Sequence, residues 1–345
     1  MFENKERSDI DNLGEFGLID HLTKNIELTQ PTTTKGVGDD AAVLDFSGKK
    51  TLISTDLLLE GIHFDLAYTP LKHLGFKAIQ VNLSDIYAMN GTASQVTVSL
   101  GLSSKFPVEA VEELYEGMLL ACKQYNVDIV GGDTSASKQG LVISVTSIGY
   151  ADEEDITYRH TAQEGDLICV SGDLGAAYVG LQLLEREKQI FLENPQIQPD
   201  LEGKDYIIER QLKPEARQDI IFLLKELGIK PTAMIDVSDG LSSELIHICT
   251  KSNKGCNLYE EKIPLDPMTY DTARSFNLDP AVCALSGGED YELLFTIKQD
   301  DYDKIKGNPD VTVIGHITEP EAGMNLISRS GNVHALKAQG WNAFK

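Results

Sequence analysis

Six short segments of this chain carry fourteen Asp and Glu residues and not one Lys or Arg. They are residues 36–45, 53–65, 82–91, 129–133, 235–244 and 286–292. Each sets a carboxylate beside glycines or small hydroxyl residues, at the edge of an apolar run. Two like charges about 4 Å apart repel by about 4 kcal/mol at an effective dielectric of about 20. Such groups must therefore be solvated and kept apart, protonated, or bridged by cations. Oxygen-only donors point to hard divalent ions, Mg²⁺ first, and carboxylate-held magnesium points to phosphate chemistry.

The length of 345 residues suits two domains. The charged turn at 151–155 is the expected boundary, giving domains 1–155 and 156–345. Mixed strand and helix signals in both halves predict an α/β (α+β) class. A net charge of −24 and a pI near 4.6 argue against nucleic acid and anionic membrane as partners. The charge is spread along the chain, so a solvated acidic surface accounts for most of the 54 acids. The five cysteines are odd in number and form no C-x-x-C pair, which predicts free thiols and a reducing cytoplasm. The charged N-terminus reads as no signal segment, and no apolar stretch is long enough to span a membrane.

Periodicity predicts helices over 13–24, 71–89, 108–125, 176–188, 216–227 and 241–250. Strands are expected over 50–54, 95–100, 127–130, 141–150, 166–171, 234–237, 281–285, 291–297 and 311–314. In the helix over 71–89, Asn82 and Asp85 share one face at i, i+3. Asp85 stands among apolar neighbours, where an unpaired carboxylate is costly to bury. Ser54-Thr55-Asp56 ends a strand, where hydroxyls beside a carboxylate suit Mg²⁺ or its waters. Gly38-Asp39-Asp40 is either a capped turn or a metal-facing one. Gly131-Gly132-Asp133 is expected as a turn after a buried strand. Ser238 and Asp239 either cap the following helix or stand with Asp236 at a phosphate site on its N-terminus. Walker, protein-kinase, EF-hand, zincin and serine-hydrolase motifs are absent, so phosphate handling needs another scaffold.

Taken in order, GDDAA, STD with its downstream His63-Phe64, NLSD-x-x-AM, GGD, D-x-SDGL and SGGEDYEL resemble the thiamine-monophosphate kinase family. That family sits within the aminoimidazole-ribonucleotide synthetase-like (PurM-like) superfamily, and the likeness covers nearly the whole chain. It implies a two-domain PurM-like fold and ATP-dependent phosphorylation of thiamine monophosphate to thiamine diphosphate. It also implies a shell for several Mg²⁺ ions at Asp39, Asp40, Ser54, Thr55, Asp56, Asp85, Asp133, Asp236 and Asp239. Gly132, Asp133, Arg159 and Ser238 correspond to nucleotide contacts; His63, Glu289 and Trp341 correspond to substrate contacts, Trp341 to stack on the thiamine rings. A homodimer through the N-terminal sheets is implied as well. Asn90 replaces a small residue in the family pattern, and the excursion over 191–204 is longer than usual.

Direct in-line transfer needs positioning and charge neutralisation rather than a general base, because the acceptor phosphate is already ionised at neutral pH. The alternative within the superfamily is an ATP-dependent synthetase or ligase. Against its selenophosphate and hydrogenase-maturation types, the first cysteine is Cys122 and the chain ends in Ala-Phe-Lys.

Overall fold

The structure is a computed structural model and describes residues 21–35, 43–138 and 140–338. The chain divides into two compact units, Met1–Ile86 with Gly91–Glu153, and Tyr87–Asn90 with Glu154–Lys345.

In the first unit, β1 (Thr33–Lys35) pairs antiparallel with β2 (Val43–Leu44). Strands β3 (Lys50–Leu59), β4 (Thr92–Leu102), β5 (Asp128–Ala136) and β6 (Val142–Ala151) form a sheet ordered β3-β6-β4-β5. Strands β4 and β5 are parallel, and a parallel pair requires a crossover. Helix α2 (Val108–Tyr125) supplies it, starting after Pro107 and ending at the left-handed Asn126, φ 54°. Helix α1 (Leu71–Ala88) joins β3 to β4. The two helices touch backbone to backbone: a Cβ on Gly75 would lie 1.9 Å from the Leu114 carbonyl oxygen, and one on Gly117 1.9 Å from that of Lys72. Buried Asp128 anchors the segment before β1, accepting from the Thr29 amide at 2.7 Å, the Gln30 amide at 3.1 Å and Thr33 Oγ1 at 2.8 Å.

In the second unit, seven strands form a mixed sheet ordered β13-β12-β9-β11-β7-β10-β8. These are β7 (Leu167–Ser171), β8 (Ala233–Asp236), β9 (Gly255–Tyr259), β10 (Leu293–Ile297), β11 (Val311–Thr318), β12 (Met324–Ile327) and β13 (Val333–Ala335). Every residue of β8 and β10 is buried, as expected of apolar strands with both faces covered. Helices α3 (Ala176–Glu193), α4 (Asp205–Leu212), α5 (Gln218–Glu226), α6 (Leu241–Ser252), α7 (Pro267–Ser275) and α8 (Pro280–Ser286) belong to this unit.

Several elements differ from the sequence expectation. The strand expected over 50–54 runs on through Leu59, paired with β6 throughout, so Ser54-Thr55-Asp56 lies mid-strand. Gly131-Gly132-Asp133 lies within β5 and forms no turn. A Cβ on Gly132 would sit 1.8 Å from the Val98 carbonyl oxygen, so that glycine permits close strand pairing. The run over 281–285 is helical: Pro280 opens α8 and Asp279 caps it by accepting from the Ala281 amide at 2.9 Å. Short apolar runs fit strand and helix alike. Cys256 sits in β9, and all five cysteines are buried and free. Helix α3 extends to Glu193, and the chain after it is tied back by Glu187, which accepts from the Asp200 amide at 2.9 Å. Asn90 adopts φ 58°, which asparagine tolerates, and its Nδ2 donates to the Asp155 carbonyl at 2.9 Å. The helix expected over 13–24 lies largely outside the described residues.

Candidate active site

In the first unit, one face of α1 meets β3. Because side chains alternate along a strand, Ser54 and Asp56 point to the same side and Thr55 to the other. The Ser54 hydroxyl donates to Asp85 Oδ2, and the Asp56 amide donates to Asn82 Oδ1 at 3.0 Å. Thus the i, i+3 pair on α1 grips both the hydroxyl and the backbone of the Ser-Thr-Asp segment. Asp85 is partly exposed and hydrogen-bonded, which removes the cost of an isolated buried carboxylate. Thr55 instead donates to the Val145 carbonyl at 3.0 Å on the opposite sheet face, which no described helix covers. His63 Nδ1 accepts from the Leu59 amide at 3.0 Å, so the ring carries its proton on Nε2.

Asp133 does not join this group within the unit. Register carries Leu57 to Ser144, Ser144 to Ser99 and Ser99 to Asp133, across the full width of the sheet. Three strand spacings amount to about 14 Å. The same register puts Asp133 on the face that carries Thr55, opposite Asp56. Other acids of these segments shape turns: Glu60 accepts from the Leu141 amide at 2.7 Å and Asp65 from the Ala67 amide at 2.7 Å. Asp39, Asp40 and Trp341 lie outside the described residues.

In the second unit, Asp236 ends β8 and the turn 237–240 leads into α6. The loop 286–292 lies against this turn along a backbone seam. The Glu289 amide donates to the Ser238 carbonyl at 2.7 Å, the Tyr291 amide to the Val237 carbonyl at 2.9 Å, and the Val237 amide to the Glu292 carbonyl at 2.7 Å. Glycine permits the approach: a Cβ on Gly288 would lie 2.5 Å from the Ser238 carbonyl oxygen. Glu289 and Tyr291 have φ of 62° and 51°. Left-handed non-glycine residues cost about 1–3 kcal/mol each, and concentrate at functional sites.

Acids gather at this seam. Burial raises the Asp239 carboxyl, with His247 opposing and Glu289 adding to the rise. Burial pushes Glu244 up to about 7, although it accepts from the Asp239 amide at 3.2 Å and the Arg159 charge pulls the other way. Burial likewise raises Asp290 to about 7, against Arg210. Glu244, Arg210 and Arg217 were given no role in the sequence. Glu244 could have been noticed at the end of the 235–244 segment, whereas the arginines follow no local pattern.

Among the described residues no group of three or more His, Cys, Asp or Glu side chains is disposed to hold a metal. The donors on offer, Asp85 with Ser54 and, further along the same side of β3, Asp56 in one unit, and Asp239 beside Glu289 at the seam, after Asp236 at the end of β8, in the other, are all oxygen. Magnesium is ordinarily held by one or two carboxylates together with phosphate oxygens and waters, not by an all-protein cage. These donor sets fit an ion that arrives with a phosphorylated substrate.

Comparison with known proteins places the chain. Residues 38–151 match the family model "AIR synthase related protein, N-terminal domain". The thiamine-monophosphate kinase of Aquifex aeolicus (strain VF5) is 37% identical over 311 residues, covering 90% of this chain and 93% of that protein. That of Bacillus subtilis (strain 168) is 32% identical, covering 96% of this chain and 100% of that protein. A solved structure described as "AaThiL complexed with AMPPCP and TMP" superposes with a TM-score of 0.74 at 34% identity, covering 99% of this chain and 100% of that one. With identity of this level sustained over nearly the full length of both relatives, the chain belongs to the thiamine-monophosphate kinase family.

Proposed function

We propose that this chain transfers the γ-phosphoryl group of ATP to the phosphate of thiamine monophosphate, yielding thiamine diphosphate and ADP. The observation that carries this reading is the likeness, over nearly the whole of both chains, to a structure holding AMPPCP, an ATP analogue, together with TMP. The acceptor phosphate is ionised at neutral pH, so no side chain need remove a proton. The work left to the protein is positioning and charge control. Asp56 and Asp85 in the first unit, and separately Asp236 and Asp239 in the second, would hold magnesium, with Asp39 and Asp40 as further donors and Thr55 and Asp133 as donors on the opposite face of the four-stranded sheet. Bound there, it would neutralise phosphate oxygens that otherwise repel one another. Ser54 fixes one Asp85 oxygen. Asn82 fixes the Asp56 backbone. Arg159, exposed and near Glu244, suits a nucleotide phosphate, as do Gly132 and the Ser238 turn. Glu289, steadied by the Tyr291 hydroxyl at 3.1 Å, suits the thiamine moiety, together with His63 and Trp341.

A homodimer through the face of the four-stranded sheet that carries Thr55 accords with its apolar exposure: among the described residues Ile53 and Leu57 are 69% and 50% exposed there. Two-fold pairing is the commonest closed assembly. Five free buried thiols fit work in the reducing cytoplasm, and among the described residues no helix is long and apolar enough to cross a membrane. Incubation with ATP, Mg²⁺ and thiamine monophosphate tests the activity. Thiamine diphosphate and ADP should accumulate in equal amounts; AMP, or ADP without thiamine diphosphate, would overturn the proposal.

A further inference from the structure

The loop 286–292 holds a conformation its own sequence resists, and its restraint comes from elsewhere in the chain. Glu289 and Tyr291 are the left-handed pair. Between and beyond them, Asp290 and Glu292 turn inward and are 0% and 2% exposed. Two buried carboxylates so close together demand counter-charge. Arg210, on α4, supplies it: its Nη2 lies 3.0 Å from Glu292 Oε1 and 3.9 Å from Asp290 Oδ1. The same nitrogen donates to the backbone carbonyl of Asp290 at 3.3 Å. Arg217 Nη1 donates to the second Glu292 oxygen at 2.5 Å. Asp290 in turn accepts from the Gly175 amide at 2.8 Å, ahead of α3.

We infer that Arg210, assisted by Arg217, is a positioning residue: it fixes the Asp290–Tyr291 peptide so that Glu289 stands ready for the substrate. The inference rests on the proposed role of Glu289 as a thiamine monophosphate contact. A guanidinium can reach a carboxylate and a carbonyl at once in a planar fork, whereas a lysine ammonium keeps the charge but loses that reach. Arg210→Lys therefore preserves the charge balance and releases the peptide.

Steady-state kinetics and amide hydrogen exchange on the full chain test this, with Arg210→Lys and Glu289→Ala measured side by side. Arg210→Lys should keep a cooperative melting transition and speed exchange at the Glu289 and Tyr291 amides. It should raise KM for thiamine monophosphate about tenfold and leave KM for ATP within about twofold, about 1.4 kcal/mol against less than half of that. Unchanged kinetics, or a fall in kcat with both KM values unmoved, overturns the inference, the latter being the mark of a smaller folded fraction. If Arg210→Lys fails to fold, Arg217→Lys is measured instead, its other partner Asp219 being solvent-exposed, and the same split must appear. If Glu289→Ala leaves KM for thiamine monophosphate unchanged while Arg210→Lys still loosens the amides and shifts either KM, the positioning role stands and the substrate contact falls.

Discussion

The Glu289 amide donates to the Ser238 carbonyl at 2.7 Å, so two acidic segments distant in sequence share one backbone seam. That seam aligns the end of β8, the start of α6 and the loop before β10. It gathers carboxylates that neither segment could bring together alone.

Gly288 is where the seam tolerates least. With φ 72° and a would-be Cβ 2.5 Å from the Ser238 carbonyl oxygen, Gly288→Ala meets both backbone strain and a clash with main chain. Gly307, φ 78°, has nothing within 4 Å of its would-be Cβ and meets only the strain, about 1–2 kcal/mol. Gly288→Ala should therefore melt well below Gly307→Ala and lose most of its kcat/KM. Equal melting temperatures for the two variants would show that the seam is not tight.

On β3 the two neighbouring hydroxyls should behave differently. Ser54 donates to Asp85, and Thr55 donates to a main-chain carbonyl on the opposite face. A hydrogen bond to a charged group contributes about 1.5–3 kcal/mol, so Ser54→Ala should cost about tenfold more in kcat/KM than Thr55→Ala. An equal loss in both variants, measured by steady-state assay, would contradict this division of the strand.

Glu244 should make stability fall as pH rises. Its folded value near 7 lies above its ordinary 4.5, so the folded state holds the proton more tightly. The associated stability is complete below about 4.5 and is lost progressively as pH climbs through about 7, about 3 kcal/mol in all. Without magnesium, Glu244→Gln should lose less in melting temperature than the parent between those limits. Parallel melting curves would remove burial as the cause.

Much of this arrangement is legible in local pattern. The helical period puts Asn82 and Asp85 on one face, and both reach β3. Pro107 and Asn126 bracket α2 at its observed limits. What local pattern cannot carry is strand order: nothing near Asp133 reveals that β6 and β4 lie between it and β3. Nor does alternation show in Ser54-Thr55-Asp56 until the strand is known to continue through Leu59. The six acidic segments contain no Lys or Arg, yet Asp290 and Glu292 are answered by Arg210 and Arg217 from a different part of the chain. For those two acids the counter-ion is protein, and the demand for metal falls on the remaining carboxylates.

The central claim is that these carboxylates hold hard cations so that two anionic substrates can meet. Its most direct measurement is turnover of ATP and thiamine monophosphate against magnesium concentration, for the parent, Asp85→Asn and Asp239→Asn. The parent should be inactive in chelator, and each variant should need about tenfold more magnesium for half-maximal rate or fail to reach the parent rate at all. Full turnover in chelator, or three superimposable curves, would contradict the account.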